Sequence, residues 1–211
     1  MTLTRRRLTL AIAAAGLAGP ALAQGTLSAE DQALVRRAVA YLEGLAAAKA
    51  RFVQTDGRGQ VTRGSVYLQR PGKARFEYDP PSGLLVVSDG RTVAVADSRL
   101  KTFERYPLGA TPLSLFLADN IRLDRGVQVT RVSRAADGFT IEARDGRRKT
   151  PGRLALTFAE APLRLVGWAV TDPQGRYTRV QLEGLAQASG LDPALFVQKD
   201  PRRAAFGRDG L

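Results

Sequence analysis

The stretch YLQRPGKARFEYDPPSGLLVVSDG, Tyr67 to Gly90, decides the fold. Val66 and Leu68 alternate with Tyr67 and Gln69 until Pro71-Gly72 breaks the run. Ala74, Phe76 and Tyr78 then alternate with Lys73, Arg75, Glu77 and Asp79. This period of two marks a half-buried antiparallel strand with a polar outer face. Pro80-Pro81-Ser82-Gly83 turns the chain again, and Leu84 to Val87 forms a short apolar strand closed by Asp89-Gly90. From Ala48 onward about eleven such runs follow one another, separated by turn signals. They are Ala50–Thr55, Gln60–Gln69, the two of the quoted stretch, Arg91–Ala96, Lys101–Pro107, Val127–Arg134, Phe139–Arg144, Arg153–Ala159, Leu163–Thr171 and Arg176–Leu185. A meander of this kind with few helices predicts a mainly β, single-domain curved sheet or incomplete barrel.

Two helical pieces interrupt the strands. Leu27 to Ala47 carries Leu34, Val35, Ala38, Tyr41, Leu42 and Leu45 at helical spacing, behind a Ser28-x-x-Asp31 capping box. Thr111 as N-cap and Pro112 at the first helical position start a short apolar piece with Leu113, Leu115, Phe116 and Leu117. An exposed helix would not be apolar all round, so this piece must face something greasy. Asp192-Pro193 starts one more helical turn near the end.

Residues 1–23 have the pattern of an export signal: Arg5-Arg6-Arg7, an apolar run from Leu8 to Leu17 too short to span a bilayer, and Ala21-Leu22-Ala23 as cleavage site. Thr4-Arg5-Arg6-Arg7-Leu8 also fits a loose twin-arginine pattern, so the Sec and twin-arginine routes both stay open. The expected destination is the periplasm. The expected organisation is signal peptide 1–23, one domain 24–198 and a flexible tail 199–211 rich in Arg, Asp and Gly. Gln24 follows the cut where a lipidated protein would carry Cys.

The chain has no cysteine and no histidine. That excludes disulfides, Ser-His-Asp and Cys-His catalysis, and the usual zinc ligands. Glu77, Asp79, Asp89 and Asp172 fall at turns or on polar strand faces, which suggests turn chemistry rather than catalysis. No enzyme activity, cofactor or metal is expected. The formal charge of +12 falls to +9 once the three signal arginines are removed. Arginine dominates the basic residues but is spread along strands and turns, without the clustering and interleaved aromatics of a nucleic-acid binder. Attraction to anionic membrane surfaces or acidic partners is the functional alternative to a merely solvated arginine-rich surface.

The order of these motifs resembles that of the LolA family of periplasmic lipoprotein carriers. The resemblance rests on Arg70-Pro71 at a strand end, the aromatic strand, the Pro-rich turn and Val87-Ser88-Asp89-Gly90. Phe52 and Gln54 precede it, with Thr111-Pro112-Leu113, Trp168 and Asp172-Pro173-Gln174-Gly175 after it, and Leu191-Asp192-Pro193 to Phe196 near the end. It spans roughly Leu27 to Phe196. The resemblance implies an unclosed antiparallel barrel with a helical lid over an apolar cavity. It also implies acylated lipoproteins as cargo, an inner-membrane ABC transporter as donor and an outer-membrane acceptor, with the carrier a monomer. A LolA-like periplasmic carrier or sensor for another lipid, a phospholipid or glycolipid, is the alternative. Arg70 matches the family's lid-holding arginine, whose guanidinium fork suits helix-end carbonyls. The inward candidates for the acyl-chain cavity are Phe52, Phe76, Tyr78, Leu113, Phe116, Leu117 and Trp168, each of which can equally be a plain core residue. Ala74 departs from the family, which has a bulky apolar residue there, and a looser wall is expected at that position.

Overall fold

In the computed structural model, which describes residues 27–117, 126–146 and 152–200, helix α1 spans Ala29–Gly44. Ser28 caps it, its Oγ accepting the Asp31 N–H at 3.0 Å. The side buried against the sheet is Leu34, Val35, Ala38 and Leu42, the stripe read from the sequence. The helix stops at Gly44, three residues before the expected end. Glycine weakens helix continuation, and the Ala46–Ala48 run pairs with the sheet instead, Ala47 opposite Gln69. The first strand accordingly begins at Ala47 and not at Ala50.

The strands are β1 (Ala47–Asp56), β2 (Val61–Gln69), β3 (Lys73–Tyr78), β4 (Leu84–Asp89), β5 (Thr92–Asp97) and β6 (Thr102–Pro107). After helix α2 (Ser114–Leu117) come β7 (Val127–Ala135), β8 (Gly138–Asp145), β9 (Arg153–Glu160), β10 (Leu163–Thr171) and β11 (Tyr177–Gln187). All eleven form one sheet in the order β6-β5-β4-β3-β2-β1-β11-β10-β9-β8-β7. Every pairing is antiparallel, and the first and last strands meet in the middle. The meander therefore runs outward from β1 to β6, crosses, and returns from β7 to β11. β6 and β7 are left as the two edges of an unclosed barrel.

Register sorts the side chains by face. Phe52, Val66, Leu68, Ala74, Phe76, Trp168 and Val180 share the inner face with the two helices and form one core. α2 is shorter than the sequence suggested. Thr111 does not cap it with its side chain: Oγ1 donates back to the Leu108 carbonyl at 2.8 Å, closing a 3-10 turn at Leu108–Ala110. The last helical turn, Pro193–Phe196, is capped by Asp192, whose Oδ1 accepts the Ala194 N–H at 2.8 Å. It packs on the outer side of β3 and β4. The expected signal peptide at residues 1–23 and the expected tail beyond residue 200 lie outside the described residues.

Candidate functional site

The β2–β3 turn holds both helices at once. The Arg70 guanidinium donates to the Leu42 carbonyl oxygen in the last turn of α1. That turn has no basic residue of its own, so a cation from the sheet faces the negative end of the helix dipole. Two residues on, the Gly72 N–H donates to the Leu117 carbonyl of α2 at 2.7 Å. The Gly72 carbonyl accepts the Ser88 hydroxyl at 2.6 Å, and Ser88 is 1% exposed. Gly72 sits at φ +76, and a Cβ there would lie 2.7 Å from the Gly90 Cα, so the turn accepts only glycine. The N-terminal end of α1 is held separately by exposed ion pairs. Arg134 of β7 lies 3.1 Å from both Glu30 and Asp31, and Arg37 lies 2.7 Å from Glu160.

Five of the aromatic and apolar candidates form a continuous chain of rings. Tyr78 meets Phe52 at 5.1 Å between centroids, Phe52 meets Phe76 at 5.8 Å, Phe76 meets Trp168 at 6.0 Å, and Trp168 meets Phe116 at 5.5 Å. The edge-to-face contacts among them are the arrangement that ring quadrupoles favour. Leu117 is fully buried beside them and Leu113 is half-buried at the core's margin. Tyr78 ends the chain with its hydroxyl donating to Gln54 Oε1 at 2.7 Å, and burial pushes its pKa up to about 12. This cluster is packed, and in this conformation it is core.

The open space lies to one side of it. A cavity of about 30 Å³ separates α1 and α2 from β7–β9, lined only by apolar side chains that include Val35, Ala38, Leu42, Leu115, Ile141 and Leu156. None of the seven candidates lines it. The helix stripe was legible in the sequence; Ile141, Ala143, Leu154 and Leu156 on the facing strands were read as strand residues without a role. Ala74 is 1% exposed, tucked between Leu68 and Ser88 in the register, and does not border this cavity.

Arg75 needs a correction. The alternation put it on a solvated face, yet its side chain is only 17% exposed. Its Nε lies 2.6 Å from Glu77 Oε1, and its Nη1 donates to the Leu195 carbonyl at 3.0 Å. Arg75, Val87 and Ala94 form one outer-face row, and the Pro193–Phe196 turn covers it with Phe196 at 2% exposure. The carboxylates do structural work. Asp89 accepts the Arg91 and Thr92 N–H groups, Asp172 those of Gln174 and Arg176, and Asp79 pairs with Arg51. Among the described residues no group of His, Cys, Asp or Glu could hold a metal ion. No described helix is long and apolar enough to cross a membrane.

The fold is an open antiparallel half-barrel of eleven strands with two helices laid across its apolar inner face. The family model described as "Outer membrane lipoprotein carrier protein LolA" matches residues 43–199, and the chain belongs to the LolA family. An outer-membrane lipoprotein carrier protein of Chromobacterium violaceum is 30% identical over 203 residues, covering 92% of this chain and 93% of the relative. One of Methylococcus capsulatus is 29% identical over 191 residues, covering 86% and 91%. Among solved structures, a LolA superfamily protein from Nitrosomonas europaea aligns with a TM-score of 0.43 at 12% identity, covering 77% of this chain and 97% of that one.

Proposed function

We propose that this protein is a periplasmic carrier that binds the acyl chains of lipoproteins between its sheet and its helices and ferries them toward the outer membrane. The observation that carries the reading is the contrast between the interface and its fastenings. The cavity between helices and sheet is lined wholly by apolar side chains, while among the described residues the polar bonds that close it gather at the Arg70–Gly72 turn and the Arg134 and Arg37 ion pairs. A cavity of about 30 Å³ holds no acyl chain, so loading requires α1 and α2 to move off the strands. Burying an acyl chain gains about 0.8 kcal/mol per methylene, and two or three long chains would exceed the ceiling of about 20 kcal/mol on non-covalent affinity. A carrier that must release its cargo needs an offset. Helix contacts made only in the empty, closed state supply one, and the Arg70 bond to Leu42 is of that kind.

Cargo on this reading arrives from an inner-membrane ABC transporter and leaves to an outer-membrane acceptor, with the protein exported by the signal at residues 1–23. Mass spectrometry of material copurifying with the protein from the periplasm tests the proposal. Acylated peptides are the expected finding. Free phospholipid or glycolipid in their place would contradict the lipoprotein assignment and support a carrier for another lipid.

A further inference from the structure

The outer face of the second half of the sheet carries a feature that the cavity does not explain. A trough of about 740 Å³ lies over β7–β11. Its floor is set by small residues: Ala155 is paired with Ala169, and Gly167 next to them has no room for a side chain, since a Cβ would lie 2.3 Å from the Val180 carbonyl oxygen. The register places Arg131, Glu142, Ala155, Ala169 and Arg179 in one row across five strands. With strands about 4.8 Å apart, Arg131 and Arg179 stand on opposite rims roughly 19 Å from each other. Arg153 adds a third guanidinium, in the row of Thr171 and Tyr177.

These three arginines are exposed and make no ion pair among the described residues, whereas Arg51, Arg75, Arg134 and Arg176 all do. Among the described residues, Glu142 is the single carboxylate lining the trough. The remaining polar groups are neutral, among them Thr140 and Thr157, whose hydroxyls lie 3.1 Å apart.

We propose that this trough binds an acidic, extended segment of a protein partner. Free guanidinium groups on both rims can each take a carboxylate in two parallel hydrogen bonds. The recessed floor of methyl groups and backbone lets a polypeptide lie close, while a flat bilayer surface would meet only the rims. The trough lies behind Trp168, on the opposite side of the sheet from the helices, so an occupant need not enter the cavity or displace its cover. The proposal is independent of what the cavity carries.

The test is fluorescence anisotropy of a labelled peptide of alternating Glu and Ser, titrated with the purified protein at ~20 mM and ~150 mM salt. The same peptide with Gln for Glu and vesicles of phosphatidylglycerol serve as the other probes. The Glu peptide is expected to bind, more weakly at the higher salt, and the Gln peptide is not. Changing Arg131→Ser, Arg153→Ser and Arg179→Ser together should weaken binding about tenfold or more. Removing equal charge elsewhere, through Arg36→Ser, Arg58→Ser and Arg91→Ser, should change it less than about twofold. Both variants should give the parent protein's circular dichroism spectrum and thermal unfolding, which shows that they are folded. Absence of peptide binding, or equal weakening by the two triple variants, would overturn the proposal. So would trough-dependent binding of the vesicles without binding of the peptide, since the arginines would then serve a lipid surface.

Discussion

The Arg70 guanidinium donates a hydrogen bond to the Leu42 carbonyl oxygen, joining the end of β2 to the last turn of α1. The same turn reaches α2 through the Gly72 N–H and Leu117 carbonyl. One tight turn of the sheet thus touches both helices that cover the interior. A change in that turn therefore alters contacts to both helices, whereas the aromatic cluster holds one of them, α2, through Phe116.

If acyl chains enter between α1 and β7–β9, filling that space should exclude them. Ala38 is 2% exposed and faces the cavity, so Ala38→Phe places a ring where about 30 Å³ is free. Overpacking of this kind costs about 1–3 kcal/mol of stability. Affinity for a fluorescent fatty acid should fall at least about tenfold while circular dichroism still reports a folded sheet. Unchanged affinity would mean that the chains go elsewhere, with the aromatic cluster opening to admit them.

Arg75 is a structural residue although its sequence position suggests a solvated one. Arg75→Leu removes a charged hydrogen bond to the Leu195 carbonyl, worth about 1.5–3 kcal/mol, and should lower the urea midpoint. Phe196→Ala should lower it further, through a loss of about 3–5 kcal/mol of stability, because it empties the covering over Val87 and Ala94. Neither change should alter acyl binding at a temperature where the protein stays folded. A urea midpoint unmoved by Arg75→Leu would show that the C-terminal turn does not rest on this arginine.

The pH response should be flat near neutrality and steep in acid. Without histidine, no side chain of ordinary pKa titrates between about pH 6 and 8, and acyl affinity should hold across that range. Hydrogen bonds from Ser28 and Arg134 hold the Asp31 carboxyl below its usual 3.8, and the Arg51 guanidinium does the same for Asp79. A carboxyl depressed in the folded state stabilises it above the unfolded pKa, and that contribution fades as pH falls through the folded value. Thermal unfolding should therefore show little change from pH 8 to 5 and a declining midpoint below about pH 4. A midpoint falling between pH 7 and 5 would contradict this.

The eleven strands were legible because alternation and turn residues are local signals. Lys73–Tyr78 shows a period of two whatever surrounds it, and Asp89-Gly90 and Asp172-Pro173 mark turns by their own chemistry. Arg70 stood out only through the family resemblance, since an arginine at a strand end is otherwise ordinary. What stayed hidden depends on distant partners. Arg75 is covered by residues 120 positions away. The cavity follows from which apolar side chains fail to meet, and Ile141 and Leu156 look no different in sequence from Phe52 or Phe76. The outer trough likewise needs Arg131, Arg153 and Arg179 aligned by register.

In the proposed cycle the Arg70 bond closes the empty carrier and is lost on loading. Arg70→Leu then disfavours the closed, unloaded state while leaving the loaded one nearly untouched, so acyl ligand should bind more tightly and leave more slowly. A charged hydrogen bond of about 1.5–3 kcal/mol corresponds to roughly 10- to 150-fold. Arg70→Lys should fall between, because an ammonium lacks the planar fork, and Arg58→Leu, in an exposed turn, should change nothing. The measurement is the rate at which a bound fluorescent acyl ligand passes from the protein to acceptor vesicles. The account predicts slower transfer from Arg70→Leu than from the parent protein by that factor; transfer at the parental rate from a folded Arg70→Leu protein would contradict it.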